Sequence, residues 1–298
     1  MSVVAPAQRL SRRYAQMARH FAATRAVEVC ALQASPLLGA YLGSGGLHER
    51  DLGRMALLLL GSLALTAHVF LANDWADHER DTRDLRRASP RVDGYGLQRD
   101  ELGRMAIAVL LVANVLLASV GAWPVLFGDG IAVLSLLYSC SPRLGKSTPV
   151  AASLNHLVGG GLHFLLGYSV AHTVGAKAIA ISAFFGLVFA AGHLNQEVRD
   201  YEADRANGVG TVAVSFGPRH AFLASVCLFT LAYALIVGLA AVGVLSKVVL
   251  ASAIAWLAQA RWSREALRRG LGPDTALWMQ RRYRLLFAFV GLAMVVRW

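Results

Sequence analysis

Long apolar runs alternate with short polar segments along the chain, and this alternation predicts a bundle of membrane helices. Each run is roughly 17–25 residues long, the length that an α-helix needs to cross a bilayer. The nine predicted spans are 24–45, 52–74, 101–120, 123–140, 150–172, 176–198, 219–242, 244–262 and 278–297. We therefore expect an all-α, polytopic membrane protein whose nine helices form a single bundle around a central cavity. Residues 1–298 would form one domain, with a basic N-terminal segment at 1–21.

The composition supports the membrane interpretation. Hydrophobic residues make up 56% of the chain and charged residues only 16%, whereas soluble domains average about 45–50% and about 25%. These proportions exclude an ordinary soluble enzyme. The net charge of +11 is typical of cytoplasmic loops that face anionic lipid, so we expect the lipid bilayer as a partner and no nucleic acid. The oligomeric state is not determined by the sequence.

The distribution of basic residues predicts the orientation. With nine spans, 24 of the 29 Lys and Arg residues fall on the side of the N-terminus and five on the opposite side. Because cytoplasmic segments carry the excess of Lys and Arg, the N-terminus is expected in the cytoplasm. The polar segments at 73–100 and 199–218 would then lie on the cytoplasmic side.

Acidic residues recur with one spacing at the ends of two apolar runs. On a helix with about 100° per residue, each group of three lies on one face. Acids at such a depth are costly and usually functional, so we expect one site between two helices. Carboxylates of this kind suit Mg²⁺, a hard cation that prefers carboxylate and phosphate oxygens. The six predicted metal ligands are Asp74, Asp77 and Asp81 after the first run, and Glu197, Asp200 and Asp204 after the second.

Basic residues near these acids predict a phosphate ligand. Arginine forks match phosphate oxygens, and metal coordination neutralises a diphosphate leaving group. For each arginine, a solvated loop position is the alternative interpretation. The residues assigned to diphosphate binding are Asn73, Arg86, Arg87, Arg91, Arg143 and Lys146.

Further polar side chains are candidates for the substrate cavity. Tyr138 lies at a span end, where its π face would attract an allylic cation, although an interfacial tyrosine is the alternative. Four more residues are expected to line the cavity, and hydrogen bonds between helices are the alternative for each of them. They are Asn155, His156, His193 and Gln196.

Three segments resemble the UbiA-type intramembrane prenyltransferases. Residues 73–81, with the pattern Asn-Asp-x-x-Asp-x-x-x-Asp, are similar to the first aspartate-rich motif of that family. Residues 197–204, with Asp-x-x-x-Asp after a glutamate, resemble the second motif, and 138–146 resemble the Tyr-Ser…Lys segment. The chain departs from the family where an Arg-Pro pair is common, since Arg25 is followed by Ala26.

The resemblance implies an enzyme, a prenyltransferase. Mg²⁺-assisted ionisation of a prenyl diphosphate would be followed by capture of the allylic cation by a lipophilic, aromatic acceptor within the membrane. Asp74, Asp77, Asp200 and Tyr138 would be the catalytic residues, on the cytoplasmic side. An apolar cavity would keep the cation from water.

Two other functions remain open. A terpene cyclase of the same superfamily would act on a prenyl diphosphate without an acceptor. A transporter would place its acids near the bilayer midplane, whereas the acids here lie at span ends. The prenyl chain length and the acceptor are not determined by the sequence.

Overall fold

The structure, a computed structural model, describes residues 25–83 and 97–296, and gives the backbone alone for residue 27 and residues 80–83. Within these ranges all regular structure is helical, with eleven α-helices and two short 3₁₀ turns. This confirms the all-α fold. The α-helices are α1 (Ala26–Leu32), α2 (Ala34–Ser44), α3 (Leu52–Arg83), α4 (Arg99–Ala118), α5 (Ala122–Cys140), α6 (Pro149–Tyr168), α7 (Ala176–Ala206), α8 (Val212–Phe216), α9 (Pro218–Ala241), α10 (Ser252–Arg269) and α11 (Pro273–Val295).

The helices follow the predicted spans with several changes. The first span is interrupted at Gln33, where α1 ends and α2 begins. The eighth span opens with a 3₁₀ turn, Lys247–Ala251, and α10 continues beyond the predicted end to Arg269. The short helix α8 forms in a segment that the sequence predicts to be a polar loop. The nine-span count is therefore a close description of the bundle, not an exact one.

Five described helices are long and apolar enough to cross a membrane: Glu49–Glu79, Arg99–Ala118, Ala122–Cys140, Ala176–Ala206 and Pro218–Ala241. The outer face of α4 indicates the environment of these helices. Its residues Ile107, Leu111 and Val115, spaced four apart, are 61%, 61% and 69% exposed. A contiguous apolar face of this kind is unfavourable in water and favourable in lipid. The chain is an integral multi-pass membrane protein.

Helices α6 and α7 approach each other closely at Gly160. A Cβ atom at this position would lie 2.7 Å from the Cβ of Phe189 and 2.9 Å from the carbonyl oxygen of Phe185. Small residues let membrane helices approach in this way. One helical turn from this contact, His156 on α6 and His193 on α7 lie side by side.

Both acidic motifs lie on helices that continue past the predicted spans. Helix α3 ends at Arg83 and α7 ends at Ala206. The extension of α3 packs on the start of α4, where Arg99 Nη1 lies 2.7 Å from Glu79 Oε1 and the guanidinium stacks on Trp75 at 5.1 Å. These contacts stabilise the extension as a helix. The spacing of the first motif therefore places its residues on one face of that helix.

Candidate active site

The acidic ends of α3 and α7 lie at the same end of the bundle. The end of α5 and the segment that follows it bridge the two helices. Lys146 in this segment forms an ion pair with Asp77 on α3. Tyr138, at the end of α5, meets His193 on α7 edge-on, with ring centroids 5.9 Å apart. The two motifs therefore share one side of the membrane, as a common site requires.

Asp74 is buried and forms an ion pair with Arg25. Arg25 precedes α1 with φ 52° and ψ 50°, a left-handed conformation. Its guanidinium also lies 5.0 Å from the ring centroid of Phe70, one turn before Asp74. Beside this pair, Asn73 Nδ2 donates to Ser139 Oγ at 3.4 Å. Arg25 thus lies at the acidic end of α3, although the sequence left its role open because the expected proline does not follow it.

The segment that carries Lys146 is held by a tight turn. Its backbone N–H donates to the carbonyl oxygen of Tyr138 at 2.9 Å. A Cβ at Gly145 would lie 2.3 Å from the carbonyl oxygen of Ser141, so only glycine fits there without a shift of the backbone. The turn directs Lys146 back to Asp77, and both side chains are only 13% exposed.

Glu197 opens the second motif and is buried. Its Oε2 accepts a hydrogen bond from the backbone N–H of Ala213 at 3.2 Å, and its Oε1 lies 2.9 Å from Nε2 of His193. The second of these is a close polar contact without hydrogen-bond alignment, since neither atom has a hydrogen-bond partner. The backbone of helix α8 therefore holds the carboxylate of Glu197 in place.

The other acids of the second motif differ in burial. Asp200 is 41% exposed on its side chain and forms a two-point contact with its neighbour Arg199, at 2.7 and 2.9 Å. Arg199 Nη1 also donates to Gln280 Oε1 on α11 at 3.4 Å. Asp204, one turn further along α7, is buried. The two acids lie on the same helix face at different depths in the protein.

Three rings form a cluster between the two motifs. His156 stacks on His193 with centroids 3.7 Å apart and planes 7° from parallel. Tyr138 meets His156 edge-on at 5.0 Å and His193 at 5.9 Å. The sequence proposed all three as cavity or catalytic residues. No local signal pairs residues 156 and 193, so the stack itself is a finding of the structure.

The remaining predicted residues are less closely associated with the ion pairs and the three-ring cluster. Asn155 Nδ2 donates to the carbonyl oxygen of Leu134 at 2.8 Å, which is a hydrogen bond between α6 and α5. Gln196 and Arg143 are exposed. Four predicted ligands lie outside the described side chains: Asp81, Arg86, Arg87 and Arg91.

The residue types at this end of the bundle fit a divalent cation. Within residues 25–83 and 97–296, apart from the undescribed side chains, no three acidic, His or Cys groups form a ready cluster for a metal. Cationic groups approach the acids instead, with Arg25 at Asp74 and Lys146 at Asp77. Hard carboxylate oxygens that already attract positive charge are the donors that Mg²⁺ prefers.

Comparisons with known proteins give one consistent result. The model of the UbiA prenyltransferase family matches residues 34–293. A 1,4-dihydroxy-2-naphthoate octaprenyltransferase from Bacillus subtilis (strain 168) is 24% identical over 203 residues, which cover 66% of this chain and 65% of that protein. The match thus spans slightly less than two thirds of the relative.

Two solved structures share the fold. A UbiA homolog from Archaeoglobus fulgidus bound to GPP and Mg²⁺ has a TM-score of 0.73 and 20% identity, over 93% of this chain and 99% of that one. The apo structure of a UbiA homolog from Aeropyrum pernix K1 has a TM-score of 0.69 and 19% identity, over 88% and 96%. At these identities the likeness concerns the arrangement of the helices.

Proposed function

Since the chain belongs to the UbiA prenyltransferase family, we propose that it transfers a prenyl group from a prenyl diphosphate to a lipophilic, aromatic acceptor within the membrane. One observation carries the proposal. Two mostly buried ion pairs, Arg25–Asp74 and Lys146–Asp77, stand together at one end of an apolar helix bundle. Charges at such a place are retained for a charged ligand more often than for stability.

The relatives support both substrates. The Archaeoglobus fulgidus homolog is bound to GPP and Mg²⁺, and another structure of a homolog from that organism is bound to DMAPP and Mg²⁺. The Bacillus subtilis relative is named for an aromatic acceptor, 1,4-dihydroxy-2-naphthoate. We infer a prenyl diphosphate as donor and an aromatic compound as acceptor.

The diphosphate lies, in this proposal, between the acids and the two cationic side chains. Arg25 and Lys146 bind its oxygens directly, since charge-assisted hydrogen bonds to phosphate are among the strongest available. Bound Mg²⁺ would neutralise the charge that develops on the departing diphosphate. The residues that would hold it are Asp74, Asp77, Asp81, Glu197, Asp200 and Asp204.

The allylic cation forms next to the three-ring cluster. Tyr138 offers a π face or edge there, and a cation is attracted to the face of such a ring. The apolar helices exclude water, which would otherwise capture the cation as an alcohol. A long isoprenoid tail lies among the apolar side chains below the acids.

We also infer that the site opens to the cytoplasm. On the nine-span topology that the sequence predicts, the ion pairs lie on the side to which 24 of the 29 Lys and Arg residues are assigned. By the bias of cytoplasmic loops toward positive charge, this side and the N-terminus are cytoplasmic.

Product analysis tests the proposal. The protein in lipid nanodiscs is supplied with C10, C15 and C20 prenyl diphosphates, with and without a membrane extract, and with Mg²⁺ or excess chelator. A prenylated product that requires both extract and Mg²⁺ is expected. Turnover that persists in excess chelator would contradict the metal assignment. A cyclic hydrocarbon or a cyclic alcohol formed from the diphosphate alone would indicate the terpene cyclase instead.

A further inference from the structure

The proposed diphosphate ligands do not include the stacked histidines, and one ring nitrogen of His156 has no polar partner among the described residues. Nδ1 of His156 lies 2.9 Å from the carbonyl oxygen of Ala152. A carbonyl oxygen can only accept, so Nδ1 carries the hydrogen. In a neutral imidazole the lone pair is then on Nε2.

Nothing in the described part of the chain donates to this lone pair. The polar contact of the His156 ring within residues 25–83 and 97–296 is the one through Nδ1. The residue is partly exposed within the bundle, and its Nε2 is not among the fully buried atoms that lack a partner. A ligand can therefore reach Nε2.

The position of this nitrogen relates it to the diphosphate. Tyr138 contacts the His156 ring edge-on, and the carbonyl oxygen of the same tyrosine accepts from the backbone of Lys146. Lys146 in turn pairs with Asp77. One residue thus separates His156 from the segment that holds the proposed diphosphate ligands.

We propose that His156 is the general base that takes the hydroxyl proton of a hydroxylated aromatic acceptor. This deepens the proposed function and rests on it. Nε2 accepts a hydrogen bond from the aromatic hydroxyl, which orients the ring toward the allylic carbon. A base within hydrogen-bond reach of the proton it removes is the geometric requirement for such a role.

The step is balanced in atoms and charge. The bond between the allylic carbon and the diphosphate oxygen breaks, and its electron pair leaves with the diphosphate. A π pair of the aromatic ring forms the new carbon–carbon bond, while the hydroxyl proton moves to Nε2. The products are a prenylated dienone, diphosphate and imidazolium. The dienone regains aromaticity when the attacked carbon loses its proton to the released diphosphate, and the imidazolium returns its proton to the ring oxygen, which restores the hydroxyl group and the neutral base.

His193 positions the base. Its ring covers one face of His156 at 3.7 Å, which keeps water from that face and fixes the ring plane. Beyond it, the carboxylate of Glu197 lies 2.9 Å from Nε2 of His193. A negative charge on the far side of His193 favours the positive charge that His156 acquires during the step.

A His156→Phe variant separates the base from the rest of the site, because phenylalanine keeps an aromatic ring in the stack and lacks Nε2. Two reactions are measured with geranyl diphosphate: diphosphate release without acceptor, and transfer to 1,4-dihydroxy-2-naphthoate. Transfer is expected to fall about 10²–10⁴-fold, the usual contribution of a general base. Diphosphate release is expected to stay near the wild-type rate. His172→Phe, at an exposed histidine beyond α6, is the matched control and should change neither reaction.

A second variant guards against a folding defect. His156→Ala leaves space for added imidazole, which should restore part of the transfer and leave diphosphate release unaffected. Full transfer in His156→Phe would overturn the inference. So would a wild-type enzyme that releases diphosphate from geranyl diphosphate and does not prenylate the dihydroxynaphthoate. A wild-type enzyme that releases no diphosphate either with or without an acceptor would instead remove the proposed function, and the inference with it.

Discussion

At the scale of single residues, the site is defined by which cation meets which acid. Lys146 meets Asp77 and Arg25 meets Asp74, and each pair joins residues far apart in the chain. Removing one partner takes away a countercharge from the other in a poorly hydrated place. In the proposed site the two kinds of removal should differ in effect, because loss of a cation would weaken phosphate binding and loss of an acid would weaken metal binding.

Lys146→Met should raise the KM for prenyl diphosphate about 10–100-fold, the effect of losing a charge-assisted hydrogen bond of about 1.5–3 kcal/mol. Steady-state kinetics in nanodiscs measures it. Lys177→Met, at an exposed lysine near the start of α7, is the control. An unchanged KM in Lys146→Met would remove this lysine from the diphosphate site.

Asp74→Asn should abolish turnover with prenyl diphosphate while the protein stays folded. The amide keeps the shape and loses the charge that a divalent cation requires. Single-turnover assays together with a thermal melt in detergent check both parts. Asp274→Asn, an exposed aspartate at the start of α11, should retain full activity. Near-normal turnover in Asp74→Asn would end the assignment of this residue to the metal.

At the scale of elements, the packing of α6 on α7 determines whether the histidine stack can form. The two helices touch at Gly160, one turn from His156. Gly159, the preceding residue, has no atom within 4 Å of the place where a Cβ would stand. The chain thus offers two adjacent glycines, one in the helix contact and one outside it.

Gly160→Ala should destabilise the protein by about 1–3 kcal/mol, the usual cost of an added methyl in a packed contact. It should also reduce transfer, because the helices must separate and the rings with them. Gly159→Ala should be neutral or slightly stabilising, since alanine favours a helix. Thermal melts of both variants in the same detergent give the comparison. Equal melting temperatures would show that α6 and α7 do not depend on this contact.

At the scale of the whole molecule, the charge bias predicts which membrane face carries the site. The connection between α10 and α11 should lie in the cytoplasm, and the connection between α6 and α7 on the other side. Protease sites inserted after Gly272 and after Gly175 test this in sealed vesicles of known orientation. In inside-out vesicles, only the site inserted after Gly272 should be cut. The reverse pattern would place the site outside the cytoplasm.

Much of the architecture could be predicted from sequence because its causes are local. Runs of apolar residues long enough for a bilayer give the helices, and the spacing of Asp74 and Asp77 gives one acidic face. Local patterns also limited the prediction. The interruption at Gln33 and the short helix α8 depend on contacts with other helices. The hydrophobic periodicity of the sequence therefore does not predict them.

The sequence by itself determined a membrane bundle with two matched acidic helix ends and a basic segment between them. Only the tertiary structure decided that Arg25 reaches Asp74 across 49 residues, that Lys146 reaches Asp77 across 69, and that His156 stacks on His193. The physical reason is that hydropathy and spacing fix where a helix begins and which face is polar. Which polar group another helix brings to that face depends on how closely the helices pack, and that distance is set by small residues distributed over the whole bundle.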